Sequence, residues 1–246
     1  MTDTTSLFSE LKTYKQKMSE LRPLSNEMTD SYYNWCCITL TYTSNALEGN
    51  SLTYPETAAV IEKGIAIGGK ILRDHIDILN HAKAFEYVHD TSQQSTAITT
   101  ATVLDIHRLV LMSLDKVGRY RTVPVHIPRS PVTFPHARDV HGLMNEFSNW
   151  LRQPGEDNPC VIAAQAHHRL VSIHPFTDGN GRTARLLMNL ILMRAGYPPT
   201  VIRPEDHAEY LKTLEKADVG DVVPYYAFMA NIMERSFKEA LTFLQS

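Results

Sequence analysis

Residues 174–189, HPFTDGNGRTARLLMN, set a histidine, a carboxylate, two glycines around an asparagine and two arginines against the start of an apolar run. A glycine-rich turn that opens an apolar helix offers free backbone N–H groups at the positive end of the helix dipole, and such a place favours phosphate. Gly179 and Gly181 let the chain approach an anion closely and take backbone angles closed to other residues. Asn180 between them tolerates a left-handed conformation and brings a side-chain donor. Arg182 and Arg185 stand three apart, near one helix face, and two guanidinium forks suit more than one phosphate. Asp178 is acidic where positive charge dominates, a tension that a divalent cation bridging it to phosphate oxygens resolves, magnesium most naturally. His174, four residues before Asp178, can take a proton from an attacking hydroxyl near neutral pH. Each feature alone is ordinary at a helix boundary. Their conjunction within the stretch 174–185 describes a nucleotide phosphate site with a base beside it.

These groups need a rigid frame, and the rest of the chain reads mostly as helix. Apolar spacing predicts a first helix over 7–21, ended by Pro23, and a second over 27–48, closed by Gly49. Thr53 followed by Pro55 and Glu56 reads as a helix start. Further helices are predicted at 73–89, 99–113, 137–152, 159–173, 180–195, 204–217 and 221–244, with Gly196, Pro198 and Pro199 stopping the one that follows the motif. Residues 119–135 differ: Val123, Val125 and Ile127 alternate with polar partners before Pro128, Pro131 and Pro135, the pattern of a short edge hairpin or extended flap. The expectation is one mainly α-helical domain over 1–246 with a small β-flap, with no repeat, low-complexity tract or linker.

Composition excludes several classes. At 246 residues, 43% hydrophobic and 21% charged, the chain can bury a substantial core. A net charge of -3 gives no basic footprint for nucleic acid. The first residues lack the pattern of a secretory leader and no apolar run reaches membrane-spanning length, so no membrane partner and a cytoplasmic setting are expected. Cys36, Cys37 and Cys160 form neither a disulfide framework nor a metal pattern and read as packing residues. Trp35 and Trp150 read as core anchors; His167 and His168 as packing or polar contacts; His75, His81, His89, His107 and His136 as dispersed. IEKGIAIGGK at 61–70 lacks the G-x-x-x-x-G-K-(S/T) pattern and reads as a turn.

HPFTDGNGRTAR matches every position of the signature H-x-F-x-(D/E)-G-N-G-R-x-x-R, and on it the chain resembles the Fic family. LLMNLILMRAGYPPTVIR is similar to the animal Fic adenylyltransferases in particular, and the likeness runs from about 40 to 240. The resemblance implies a Fic-type helical bundle, with N-terminal helices to about residue 60 and a Fic core over about 99–240. It implies transfer of AMP from ATP to a Ser, Thr or Tyr hydroxyl of a target protein. His174 would be the general base and Asp178 the ligand of Mg2+ or Mn2+. The backbone of residues 179–181 would form the anion hole, with Asn180 on the α-phosphate. Arg182 and Arg185 would bind the outer phosphates, Thr183 and Ala184 completing the ATP-binding stretch. The hairpin would be a flap that aligns the target segment by strand addition, with Ile127, Pro128, Arg129 and Ser130 facing the nucleotide. Tyr210 would lie near the adenine; Leu211 departs from a second tyrosine, and Asp218 replaces an asparagine. Residues 61–70 would lie near a homodimer surface.

SNALEGN at 44–50 fits the family's inhibitory pattern (S/T)-x-x-x-E-(G/N), with Ser44, Glu48 and Gly49 in place. Glu48 could pair with Arg185, occupy the place of the γ-phosphate, and misalign bound ATP for in-line attack. In some relatives the same glutamate helps water remove AMP, so Glu48 is a brake, a hydrolytic residue or both. Two rival readings stand beside adenylyl transfer. One is transfer of another phosphate-containing group on the same fold, which Gly181 disfavours because a phosphotransferring branch has lysine there. The other is a non-enzymatic regulatory or DNA-binding module.

Overall fold

The computed structural model describes residues 4–112, 118–126, 132–156 and 158–246. After a short 3-10 turn at Thr4–Phe8 come α1 (Leu11–Glu20), α2 (Asn26–Ala46), α3 (Tyr54–Lys63), α4 (Leu72–Ser92), α5 (Thr100–Val110), α6 (Val140–Arg152), α7 (Pro159–Ile173), α8 (Asn180–Arg194), α9 (His207–Asp218) and α10 (Val223–Gln245). Local sequence sets the ends. Ser25 accepts from the Met28 N–H at 3.1 Å to start α2, and Asn158 accepts from Cys160 at 3.0 Å ahead of Pro159 to start α7. Glu56 returns to the Thr53 N–H at 2.8 Å, completing the start expected for α3.

The apolar run after the motif dictates the centre of the fold. Residues 182–192 of α8 are all buried, so no face of this helix is left for water. It is surrounded by α7, α4, α5 and α2, with α7 in the most extensive contact. α10 closes the far side, packed on α9, α1 and α7. One cluster of buried side chains runs through these helices, from Phe8 to Leu244, and a small one joins Leu52, Val60 and Ile78 beneath α3. Cys36, Cys37 and Cys160 are free and buried, as expected of packing residues, and burial pushes their thiols up to about 12, 11 and 12 respectively.

The mainly helical expectation holds, with helix ends within a few residues of those predicted. The hairpin at 119–135 does not appear as strands in the described residues: 118–126 and 132–136 run as irregular chain. Pro124 and Pro135 have no N–H to give a ladder, which accounts for the loss of the pattern suggested by Val123 and Val125. Ile127, Pro128, Arg129 and Ser130 lie outside the described residues. Among the described residues no helix is long and apolar enough to cross a membrane.

Candidate active site

A cavity of about 590 Å³ lies over the N-terminus of α8, walled at one end by His174, residues 178–181, Arg185 and Glu48, and at the other by Tyr210, Leu211, Leu214 and Asp218. α7 ends at His174 in the left-handed region, φ 49° and ψ 59°, the one non-glycine residue with positive φ among those described. Its ring Nδ1 lies 3.2 Å from the Val171 carbonyl. A carbonyl can only accept, so Nδ1 carries the proton and Nε2 presents a lone pair. Phe134 stacks on the ring with centroids 3.9 Å apart. Burial pulls the His174 pKa below its ordinary value, aided by the Arg121 charge and opposed by the Val171 hydrogen bond. A neutral imidazole with an exposed lone pair is suited to take a proton.

The turn before α8 is built with few options. Gly179 has φ 75°, and an added Cβ would sit 3.3 Å from Leu111 Cδ1. The left-handed residue is thus Gly179; Asn180 is already the first helical residue. The Asn180 amide closes the loop on itself, accepting from the Phe176 N–H and donating to the Phe176 carbonyl, both at 2.9 Å. Its side-chain amide is thus engaged within the loop, while Asn180 itself lines the cavity as the first residue of α8. His107 holds the same loop from behind. The Gly118 N–H donates to His107 Nδ1 at 3.1 Å, so Nε2–H donates to the Asp178 carbonyl at 3.2 Å. Its ring stacks on Phe176 at 3.6 Å, and burial pushes its pKa down to about 4. From the sequence His107 reads as dispersed, because its partners are backbone or apolar groups that carry no motif.

Arg185 is buried and held by Ser44 and Glu48 at the end of α2. Its Nε donates to Ser44 Oγ at 2.9 Å, and one terminal nitrogen donates to the Ser44 carbonyl at 2.9 Å and to Glu48 Oε1 at 2.7 Å. Gly49, with φ 88°, turns the chain just beyond. An added Cβ at Gly181 would lie 2.5 Å from Glu48 Oε1 and 2.9 Å from the Arg185 guanidinium, so the pair packs directly over this glycine. Arg182 behaves differently from expectation: it is not on this cavity wall but borders a polar cavity of about 230 Å³ with Arg73, Asp77 and Asp178. It donates to Asp77 Oδ1 at 3.1 Å and to Asp178 Oδ1 at 3.2 Å, while Arg73 reaches Asp178 Oδ2 at 3.0 Å. Thr183 and Ala184 are fully buried, 0% exposed, and face the core, because the helix turns them away from the cavity.

At the far end, Tyr225 OH donates to the Ala164 carbonyl at 2.9 Å and so accepts from His167 Nδ1 at 3.0 Å. His167 Nε2 then accepts from Tyr210 OH at 2.8 Å. Burial pushes His167 down to about 3 and the Tyr210 hydroxyl up to about 12. The Tyr210 ring thus walls the cavity while its hydroxyl is tied into the core. Asp218 Oδ1 accepts from Ser172 Oγ at 2.6 Å and lies 3.0 Å from His168 Nε2. Burial would raise the Asp218 pKa, but these two partners outweigh it and hold it low. For a metal, no group of three His, Cys, Asp or Glu that could hold one occurs among the described residues. Of the carboxylates that line the cavity, Asp178 stands beside the turn that opens α8, and a single hard carboxylate there fits a cation that takes most of its oxygens from substrate phosphates and water.

Residues 97–192 match the profile of the Fic/DOC family. A protein adenylyltransferase Fic from Nematostella vectensis is 40% identical over 223 residues, which is 87% of this chain and 50% of that protein. Among solved structures, a Fic domain containing signaling protein from Bacteroides thetaiotaomicron superposes with a TM-score of 0.88 at 28% identity, covering 96% of this chain and 98% of the other. Fic-1 (residues 134–508) from C. elegans superposes with a TM-score of 0.85 at 30% identity, covering 97% of this chain and 71% of the other. This chain spans half or less of the length of the curated relatives it matches first.

Proposed function

The chain belongs to the Fic/DOC family, and from that premise we propose that it transfers AMP from ATP to a Ser, Thr or Tyr hydroxyl of a target protein. The observation that carries this reading is His174, neutral, with Nε2 free to accept a proton beside the amides that open α8. The α- and β-phosphates would lie over residues 179–181, where helix-end N–H groups stabilise the charge that develops during transfer. Asp178 would hold Mg2+ or Mn2+, which supplies charge neutralisation to the phosphates when bound. To do so it must exchange the Arg73 contact on Oδ2 for the ion, and Arg73 is 62% exposed and easily released. Arg185 would take the outermost phosphate once Glu48 leaves. His174 would draw the proton from the target hydroxyl as it attacks the α-phosphate, with diphosphate departing. Tyr210 and Asp218 would bound the nucleoside. The flap at 119–135 would receive the target chain, forming its ladder only with that chain as partner.

Glu48 would act as a brake by holding Arg185, and it lines the same cavity as His174, which favours a second role in directing water to remove AMP. A homodimer surface near residues 61–70 fits the same reading, since Ile65, Ile71 and Leu72 are 47%, 63% and 74% exposed there. The test is labelled ATP with magnesium and cell lysate. The Glu48→Gly protein is expected to add a nucleotide-sized mass to proteins, and His174→Ala in that background to lower the rate by roughly 10²–10⁴. Absence of label on any protein, or a phosphate-sized mass, would sink the proposal.

A further inference from the structure

The base is steadied from behind by an arginine that, among the described residues, pairs with none of the cavity's acids. Arg121 is 3% exposed, and no ion pair to it occurs among the described residues. Its donors go to backbone carbonyls instead. Nε donates to the His174 carbonyl at 2.8 Å, and the two terminal nitrogens to Val123 at 3.3 Å and Pro135 at 2.6 Å. Its own N–H donates to the Pro175 carbonyl at 2.8 Å. A buried guanidinium without a counter-ion is costly, and several good carbonyl partners must offset it. The planar fork is what lets one side chain reach three divergent carbonyls; a lysine is a single point donor.

The carbonyls it joins belong to two regions far apart in sequence. His174 and Pro175 carry the base, whereas Val123 and Pro135 lie in the irregular segments at 118–126 and 132–136. Phe134, next to Pro135, is the ring stacked on the His174 imidazole. His174 also sits in a left-handed conformation, which a non-glycine residue keeps only where its surroundings over-determine it. The Val171 contact fixes one ring nitrogen, Phe134 fixes the ring plane, and Arg121 holds the backbone from which both constraints are measured.

We infer that Arg121 is a positioning residue for the transfer. By tying the His174 carbonyl to the arms that carry Val123 and Phe134, it fixes the direction in which imidazole Nε2 meets an incoming hydroxyl. This rests on the proposed AMP transfer, yet one consequence does not. In the resting protein the His174 ring is held as the Nδ1–H tautomer, and that hold depends on Arg121.

The experiment compares Arg121→Lys and Arg121→Gln with their parent, all carrying Glu48→Gly in the full chain. Nitrogen NMR of the His174 ring reads the tautomer without any substrate. The parent is expected to show Nδ1–H, and both variants a mixture with Nε2–H. Kinetics with labelled ATP should show kcat lowered roughly ten- to a hundredfold in both variants, while KM for ATP stays within about twofold. Full activity with an unchanged tautomer overturns the inference. So does rescue by lysine, since charge alone would then suffice, and so does a loss that appears in ATP affinity rather than in kcat. If the parent itself transfers nothing, the proposed function fails while the tautomer still decides the role of Arg121. Should both variants unfold, hydrogen exchange in the parent protein decides. The Arg121 amide must exchange as slowly as core helix amides, and rapid exchange contradicts the anchor.

Discussion

Arg182 and Arg185 leave α8 about one turn apart, both buried, and each meets carboxylates from outside its own helix. Arg185 meets one carboxylate, Glu48, among the described residues, and it also donates to the hydroxyl and carbonyl of Ser44. Arg182 has two, Asp77 and Asp178, and Arg73 bridges both of those from the other side, at 3.6 Å and 3.0 Å. Redundancy is the difference. Losing one member of the Arg182 ring leaves the other contacts in place, whereas losing Glu48 leaves Arg185 charged, buried and without a counter-ion. A site so left is prepared for an anion from outside, and a phosphate is the anion whose shape matches the fork. On the proposed reading, the arginine with a single counter-ion would be the switch and the ring a frame.

Acid should disturb the pocket behind Arg185. His81 and His167 are both fully buried, and each is pushed to about 3 by burial first and then by the Arg185 charge. A histidine whose folded pKa lies below its unfolded value contributes its full stability above about 6.5 and loses it as pH falls toward the folded value. Between pH 7 and pH 5 each is expected to remove about 2 kcal/mol, seen as a falling melting temperature and denaturant midpoint. A melting curve flat across that range would mean that the pocket behind Arg185 is wetter than the packing implies.

Gly181→Ala addresses the switch more locally. Its Cβ would meet Glu48 Oε1 at 2.5 Å and Arg185 at 2.9 Å. The expected destabilisation is about 1–3 kcal/mol in the parent and markedly less with Glu48→Gly, because the nearer clash is gone. Additive penalties in urea melts would show that Glu48 does not lie over Gly181 in solution.

The smallest effect is predicted for the frame. Arg73→Ala removes a contact whose partners are 62% and 41% exposed, so stability should change by less than about 1 kcal/mol. Freed of Arg73, Asp178 Oδ2 should bind Mn2+ about two- to fivefold more tightly in the nucleotide-free protein, read by electron paramagnetic resonance. Weaker Mn2+ binding would make Arg73 part of the metal site rather than its competitor.

What the sequence made legible follows the same division. The signature at 174–185 is contiguous, and helix starts such as Thr53–Pro55–Glu56 and stops such as Gly196 are written in adjacent residues, so both could be read directly. The pairing of Glu48 with Arg185 was legible because each end lies in a recognisable short pattern. Arg121 and His107 were not, since what they hold are carbonyls, and every residue has a carbonyl. Asn180 was half legible: its position is right, but its amide serves Phe176 because the loop buries it. Thr183 and Ala184 fall inside the signature yet face the core, since a helix presents only some of any consecutive run to one side. Within the described residues of the flap, 119–126 and 132–135, the alternation does not appear as strands, since Pro124 and Pro135 have no N–H to give a ladder.

The central claim is that Glu48 and the outermost phosphate compete for Arg185. Its most direct measurement is the initial rate of label transfer from ATP to protein by the unaltered chain and by Glu48→Gly, at equal concentration and saturating magnesium. A hydrogen-bonded charge pair of about 1.5–3 kcal/mol corresponds to roughly a ten- to hundredfold rise on removing Glu48. Equal rates from the two proteins would contradict the account.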